Sequence, residues 1–215
     1  MPALKDNSEP RRPGRPRGGK RVTASREQLL DIALNLFSRQ GIANTSLNAI
    51  AKEAGVTPAM LHYYFNSREQ LLDAMIEERF LPLRERIGAI FADNRDSPLN
   101  ALTEMVKVLA ELAEQYPWFA PLWMQEVIGE MPILRQHMHA RFGEDKYHRM
   151  LTTVKRWQEE GKLNPALSPE LLFTTLISLV LVPFSRLRSD TRLTSVTRQT
   201  IVSHALTLIR RGIAG

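Results

Sequence analysis

The run Ala54-Gly55-Val56-Thr57-Pro58-Ala59-Met60-Leu61-His62-Tyr63-Tyr64-Phe65 sets a hydroxyl, an imidazole and two phenols on a segment of about two helical turns. The chemistry these residues offer is recognition of a polyanion with base edges. Ala59 is small enough to let a helix approach a base and meet a thymine methyl. His62 and Tyr63 can donate to phosphates or bases. Thr45, Ser46 and Thr57 supply hydroxyls beside helix N-termini, which suits phosphate, and Pro58 fits the first helical turn, where its missing N–H costs little. Asn48 could reach an adenine edge, and Arg68 could hold the DNA backbone. Bond-making chemistry is not expected. The chain offers no nucleophile beside a base, no glycine loop that cradles phosphate and no paired carboxylates, so no catalytic residue is assigned. Glu144 and His148 are four residues apart, but His137 and His139 would point about 200° apart on a helix, so no metal or cofactor is expected.

The net charge of +6 has one location. Residues 1–26 hold eight basic residues against two acidic ones, and the remainder carries 21 of each. That is the pattern of a tail that binds a polyanion. Within it, Arg11-Arg12-Pro13-Gly14-Arg15-Pro16-Arg17-Gly18 resembles the core of an AT-hook. There Gly-Arg-Pro lies extended in an A·T-rich minor groove, where Arg15 and Arg17 would meet negative potential. The competing reading is a solvated basic tail that adds only non-specific attraction.

Helices must position these groups. Residues 1–24, rich in Pro, Gly and Arg, are expected to be a disordered basic arm. A first helix starts at Ser25 with Gln28 as capping-box partner, buries Leu29, Leu30, Ala33, Leu36 and Phe37, and ends at Gly41. A second begins at Thr45 or Ser46, and Gly55 makes the turn into a third, capped by Thr57. Leu61, Tyr64 and Phe65 should face the core, leaving Ala59, Met60, His62 and Tyr63 outward. Ser67 with Gln70 opens a fourth helix as a second capping box, and Pro82 is expected to kink or break it. Helical segments then alternate with Pro and Gly to the end, giving an all-α fold of about nine or ten helices.

Ala33, Leu36-Phe37, Gly41, Thr45-Ser46, Ile50-Ala51, Ala54-Gly55-Val56, Leu61, Tyr64-Phe65, Arg68-Glu69 and Leu71 together resemble the N-terminal domain of the TetR (tetracycline repressor-like) family. That resemblance implies an all-helical homodimer with a helix-turn-helix DNA-binding domain at residues 25–72 and a ligand-responsive domain at residues 73–215. It also implies DNA contacts from the start of the second helix, the third helix and Arg68. The sequence departs from the family pattern at His62, where a phosphate-binding tyrosine is usual, and Arg68 replaces the more frequent lysine. A phosphate contact from His62 that strengthens on protonation is the expected consequence.

The larger domain is less legible. Met105, Leu109, Leu112, Tyr116, Trp118, Phe119, Trp123, Met124, Val127 and Phe142 could line a pocket for a small, largely apolar effector, although residues at this spacing serve equally as core. The last two helices are apolar nearly all round, so a second copy is a natural cover, with Leu172, Leu176, Leu179, Val180, Phe184, Ile201, Ala205 and Leu208 as the homodimer interface. The apolar run 171–184 is interrupted by polar residues and proline and falls short of about 20 residues, so a buried helix and no membrane are expected. The lack of cysteine suits a reducing, cytoplasmic location. The partners expected are therefore double-stranded DNA, an apolar effector and a second copy. The alternative is a weakly specific, architectural A·T-rich DNA-binding protein dominated by the arm.

Overall fold

The computed structural model describes residues 24–128, 132–142, 145–187 and 190–212. Arg15 and Arg17 lie outside them, as does the side chain of Val127. Among the described residues the chain is helical, without strands.

A compact head comes first. It consists of α1 (Arg26–Gln40), α2 (Leu47–Glu53), α3 (Pro58–Tyr64) and α4 (Arg68–Met75). Ser25 and Gln28 form the reciprocal capping box, with bonds of 2.9 and 3.2 Å. Ser46 and Thr57 cap α2 and α3 by accepting the N–H groups of Ala49 and Met60. At the fourth helix only half of the expected box forms: the Ser67 hydroxyl accepts the Gln70 N–H, while Ser67 gains no reciprocal bond from that side chain. Gly41 (φ 84°) and Gly55 (φ 66°) occupy the left-handed backbone that ends α1 and turns α2 into α3. Leu30, Leu34, Phe37, Ile50, Leu61, Phe65 and Leu71 close the head's core. Leu34 widens the apolar face of α1 beyond the stripe read from sequence, because α7 covers α1 from the far side.

Pro82 does not break the fourth helix. The chain passes from α4 through a π-helical turn, Ile76–Phe80, into α5 (Leu81–Asp93) with helical backbone angles throughout. Proline lacks the N–H that would reach the Glu78 carbonyl four residues back, and its ring crowds that carbonyl. The backbone widens, so that the Leu81 N–H bonds the Ile76 carbonyl, and the Arg79 guanidinium donates to the Glu78 carbonyl at 3.3 Å instead.

The body follows: α6 (Pro98–Gln115), α7 (Phe119–Ile128), α8 (Ile133–Phe142), α9 (Asp145–Glu159), α10 (Pro169–Arg186) and α11 (Arg198–Gly212). The central helix is α6, with α5, α10 and α11 packed on it. Its length suits that place, since Ala101, Leu102, Met105, Val106, Leu109, Ala110 and Leu112 bury one broad stripe. Trp157 of α9 is wholly buried and donates from Nε1 to the Arg95 carbonyl at 2.6 Å, fixing the α5–α6 connector.

Candidate nucleic-acid interface

The short helix α3 is held from below. Leu61 and Phe65 are fully buried, Tyr64 is half-buried, and the Arg26 guanidinium lies 5.1 Å over the Phe65 ring. A seven-residue helix has little stability of its own, so these anchors present its other face. That face carries Pro58, Ala59, His62 and Tyr63, all exposed; Tyr63 is 83% exposed. Asn48 and Ser46 are exposed on α2, and Thr57 is exposed at the head of α3. Ser46 and Thr57 use oxygen lone pairs for capping, which leaves each hydroxyl proton available to a phosphate.

Two expected contacts differ in geometry. Thr45 is 1% exposed and its Oγ1 donates to the Gly41 carbonyl at 2.8 Å, so this hydroxyl is turned inward to build the α1–α2 turn. Its neighbour Ser46 holds the surface position that was read for both. Arg68 is half-buried and one amino group donates to the Ile42 carbonyl, tying the start of α4 to the turn that precedes α2. Four of the five guanidinium N–H groups remain for other partners. The described residues begin at Ala24, which is buried, and Arg26, two residues on, lies over Phe65 at the C-terminal end of α3.

In the body, the candidate pocket residues divide by burial. Met105, Leu109, Leu112, Trp118 and Phe119 are buried core, while Tyr116, Trp123, Met124 and Phe142 are half-buried. Trp118 meets Phe80, Tyr116 and Phe119 edge-on or tilted at 5.5–5.9 Å. Two open grooves, of about 520 and 590 Å³, run along α10 and α11, and among the described side chains none of the candidate pocket residues lines either.

The expected dimer residues also divide. Leu172, Leu176, Val180, Ile201 and Ala205 are buried in the chain's own core, against α6 and α7, so they cannot supply the outer face. Leu208 (46% exposed), Leu171 (63% exposed) and half-buried Leu179 stand outward; Phe184 is half-buried. The smaller groove is lined by Thr174, Thr175, Ser178, Leu179, Val182, Pro183 and His204, and Leu171, Leu179 and Leu208 line the larger one. The expectation of a buried helix holds for one side of α10 only, since 28% of its 18 residues are buried. Sequence reasoning missed the residues that join head to body. Gln125 of α7 bonds to Ser38 of α1, 87 residues away, and Arg141 of α8 pairs with Asp73 of α4 and with Glu77 of the π turn, the latter 64 residues away.

A head of this geometry, with two short capped helices around a left-handed glycine and an exposed small-and-polar face on the second, defines a helix-turn-helix DNA-binding protein. Residues 29–75 match the family model described as bacterial regulatory proteins, tetR family. The chain is 30% identical over 159 residues to the HTH-type transcriptional regulator RutR of Escherichia coli O157:H7, covering 72% of this chain and 73% of RutR. It belongs to the TetR family and is a DNA-binding transcriptional regulator. Among solved structures, the ketosteroid transcriptional regulator KstR2 of Mycobacterium tuberculosis aligns with a TM-score of 0.67 at 20% identity, covering 93% of this chain and all of that one. SmeT in its complex with triclosan aligns with a TM-score of 0.60 at 22% identity, covering 88% and 91%. Both share the fold.

Proposed function

We propose that the chain is a homodimeric repressor that binds a near-palindromic operator and is released by a small, largely apolar effector. The observation that carries the reading is the outward face of α3, where Ala59, His62 and Tyr63 stand exposed over anchors that are fully buried. Two such heads, about 34 Å apart, would enter successive major grooves. Ser46, Asn48, Thr57 and Arg68 would hold phosphates or base edges around that face, with His62 on a phosphate. The arm, which precedes Ala24 in the chain, would reach the adjoining minor groove through Arg15 and Arg17. Residues 25–72 would form the reading domain and residues 73–215 the regulatory and dimerisation domain, with the rod from α4 to α5 belonging to both.

A second copy on α10 and α11 is supported by the apolar outer residues Leu171, Leu179 and Leu208, which water would otherwise meet. An effector is supported by the half-buried aromatic side chains Tyr116, Trp123 and Phe142 near the head–body joint, and by the triclosan complex of SmeT, a protein of the same fold. Binding would favour a body whose heads no longer match the operator spacing. The test is selection of duplexes from a random pool, followed by footprinting in competitor DNA. Two protected half-sites about one helical turn apart are expected. Protection without sequence preference would replace this reading by that of an arm-dominated architectural protein, and an absence of salt-dependent DNA binding would end both.

A further inference from the structure

Helices α7 and α8 reach the head at two separate points. Gln125 of α7 donates through Nε2 to the Ser38 carbonyl, in the last turn of α1, at 2.8 Å. Arg141 of α8 pairs with Asp73 of α4 at 3.1 Å and, through its other amino group, with Glu77 in the π turn. Asp73 and Glu77 continue a stripe that begins at Glu69, spaced four residues apart. The Glu69 carboxyl is held below its ordinary range by its own backbone N–H and by the Ser67 hydroxyl, with a lesser pull from His137 of α8 and from Arg68. One turn apart on α8, His137 and Arg141 thus oppose Glu69, Asp73 and Glu77 on the rod. The two helices are also fastened to each other. Glu126 of α7 is 7% exposed and accepts the Arg135 N–H, in the first turn of α8, at 3.1 Å.

We propose that α7 and α8 act as a fork that sets the angle of the DNA-reading head, with Gln125 and Arg141 as positioning residues for DNA reading. The proposal rests on the dimeric operator-binding reading and adds the side chains that fix each head for its half-site. One prong holds the end of α1, on which α2 packs; the other holds α4, whose Arg68 is tied to the turn before α2. Between them the orientation of α3 is determined. Heads left free would lose more orientational entropy on meeting two half-sites at once, so loosening the fork weakens two-site binding without touching the reading surface. The Arg141 pairs are solvent-exposed, which makes them poor sources of global stability and suitable parts for a joint that must yield.

The test uses the full chain, a two-half-site duplex selected by the unmodified protein, and the same duplex cut to one half-site. Arg141→Glu replaces two attractions by two repulsions, each worth up to about a fivefold change. Two-site affinity is expected to fall roughly tenfold, with half-site affinity unchanged and thermal unfolding still cooperative and only slightly lowered. Adding Asp73→Arg should recover most of the loss, which a merely structural role would not allow. Arg141→Gln, which removes the charge without repulsion, should show the same ordering at smaller size. Equal losses on both duplexes, or no loss on either with both Arg141 variants folded, would overturn the fork while leaving the operator reading intact. If the unmodified protein selects no duplex, the operator reading falls, and the fork falls with it.

Discussion

Replacing Tyr63 by alanine separates binding from folding in this head. Tyr63 is 83% exposed, and its ring meets Tyr64 edge-on at a centroid distance of 5.3 Å. An exposed aromatic pair contributes about 0.5 kcal/mol or somewhat more. Alanine recovers about half a kcal/mol in helix propensity. The net change in stability should therefore stay within about 0.5 kcal/mol, as for most surface substitutions. On DNA the same side chain would be lost from both heads, and each lost contact is worth roughly 1–3 kcal/mol, or about fivefold to 150-fold in affinity. Leu61→Ala supplies the contrast. Leu61 is fully buried under the same helix, and its truncation should cost about 2–5 kcal/mol of stability, with binding lost as a consequence of unfolding. Urea unfolding and fluorescence anisotropy on the selected duplex measure the two quantities on one sample. If Tyr63→Ala binds within twofold of wild type, the outward face of α3 is not the reading surface. If it loses more than about 1.5 kcal/mol of stability, the side chain is packed and the assignment of faces is wrong.

Gly55→Ala should cost about 1 kcal/mol from left-handed backbone alone, because an added Cβ would meet nothing within 4 Å; Gly55→Asn should cost less, and thermal unfolding ranks them. The Glu126 carboxyl is raised above its ordinary value by burial, against the pull of the Arg135 and Leu134 N–H groups. The folded chain therefore holds the proton more tightly than the unfolded one. Stability owed to this group is full below the unfolded value of 4.5 and fades as pH rises through the raised folded one. Glu126→Gln should remove that component, so denaturation midpoints should move in favour of wild type as pH falls through the window; parallel curves would refute it. Deletion of residues 1–20 removes six of the eight basic residues of the N-terminal segment and should flatten the salt dependence of DNA binding by roughly one unit per lost phosphate contact, read by anisotropy at several salt concentrations. Pro82→Ala restores an N–H opposite the Glu78 carbonyl, and should change effector-driven release of DNA more than affinity in the absence of effector; the opposite result would remove Pro82 as a pivot.

The head was almost wholly legible because its determinants are local. Caps at Ser25, Ser46 and Thr57, glycines with positive φ, and the apolar phase of Leu61 and Phe65 all act within a few residues of themselves. Thr45 shows where local reading stops: whether its hydroxyl turns to the Gly41 carbonyl or to solvent is decided by how the turn folds over it. In the body the difficulty is of another kind. Met105 and Leu109 satisfy a pocket and a core equally as residue types, and their burial comes from the packing of α5, α10 and α11 on α6, which no local spacing announces. The apolar pattern of α10 and α11 likewise cannot say which side the chain itself covers, so Leu172, Val180 and Ala205 were given to a partner when α6 and α7 already hold them. Gln125 and Arg141 carry no spacing signal at all, since their partners are remote in sequence.

The widened turn at Ile76–Phe80 absorbs one residue more than an ordinary helix would, without interrupting the rod. Glu77, Glu78 and Arg79 point from it to three different partners, Arg141, Arg26 and Asp31. Removing a single residue there would close the wide turn to an ordinary α turn, leaving Leu83, Ile87 and Ile90 in their inward phase but setting the Pro82 ring against a helical carbonyl. A one-residue deletion there is therefore a milder change than the same deletion in α6, where no wide turn stands ready to take it up.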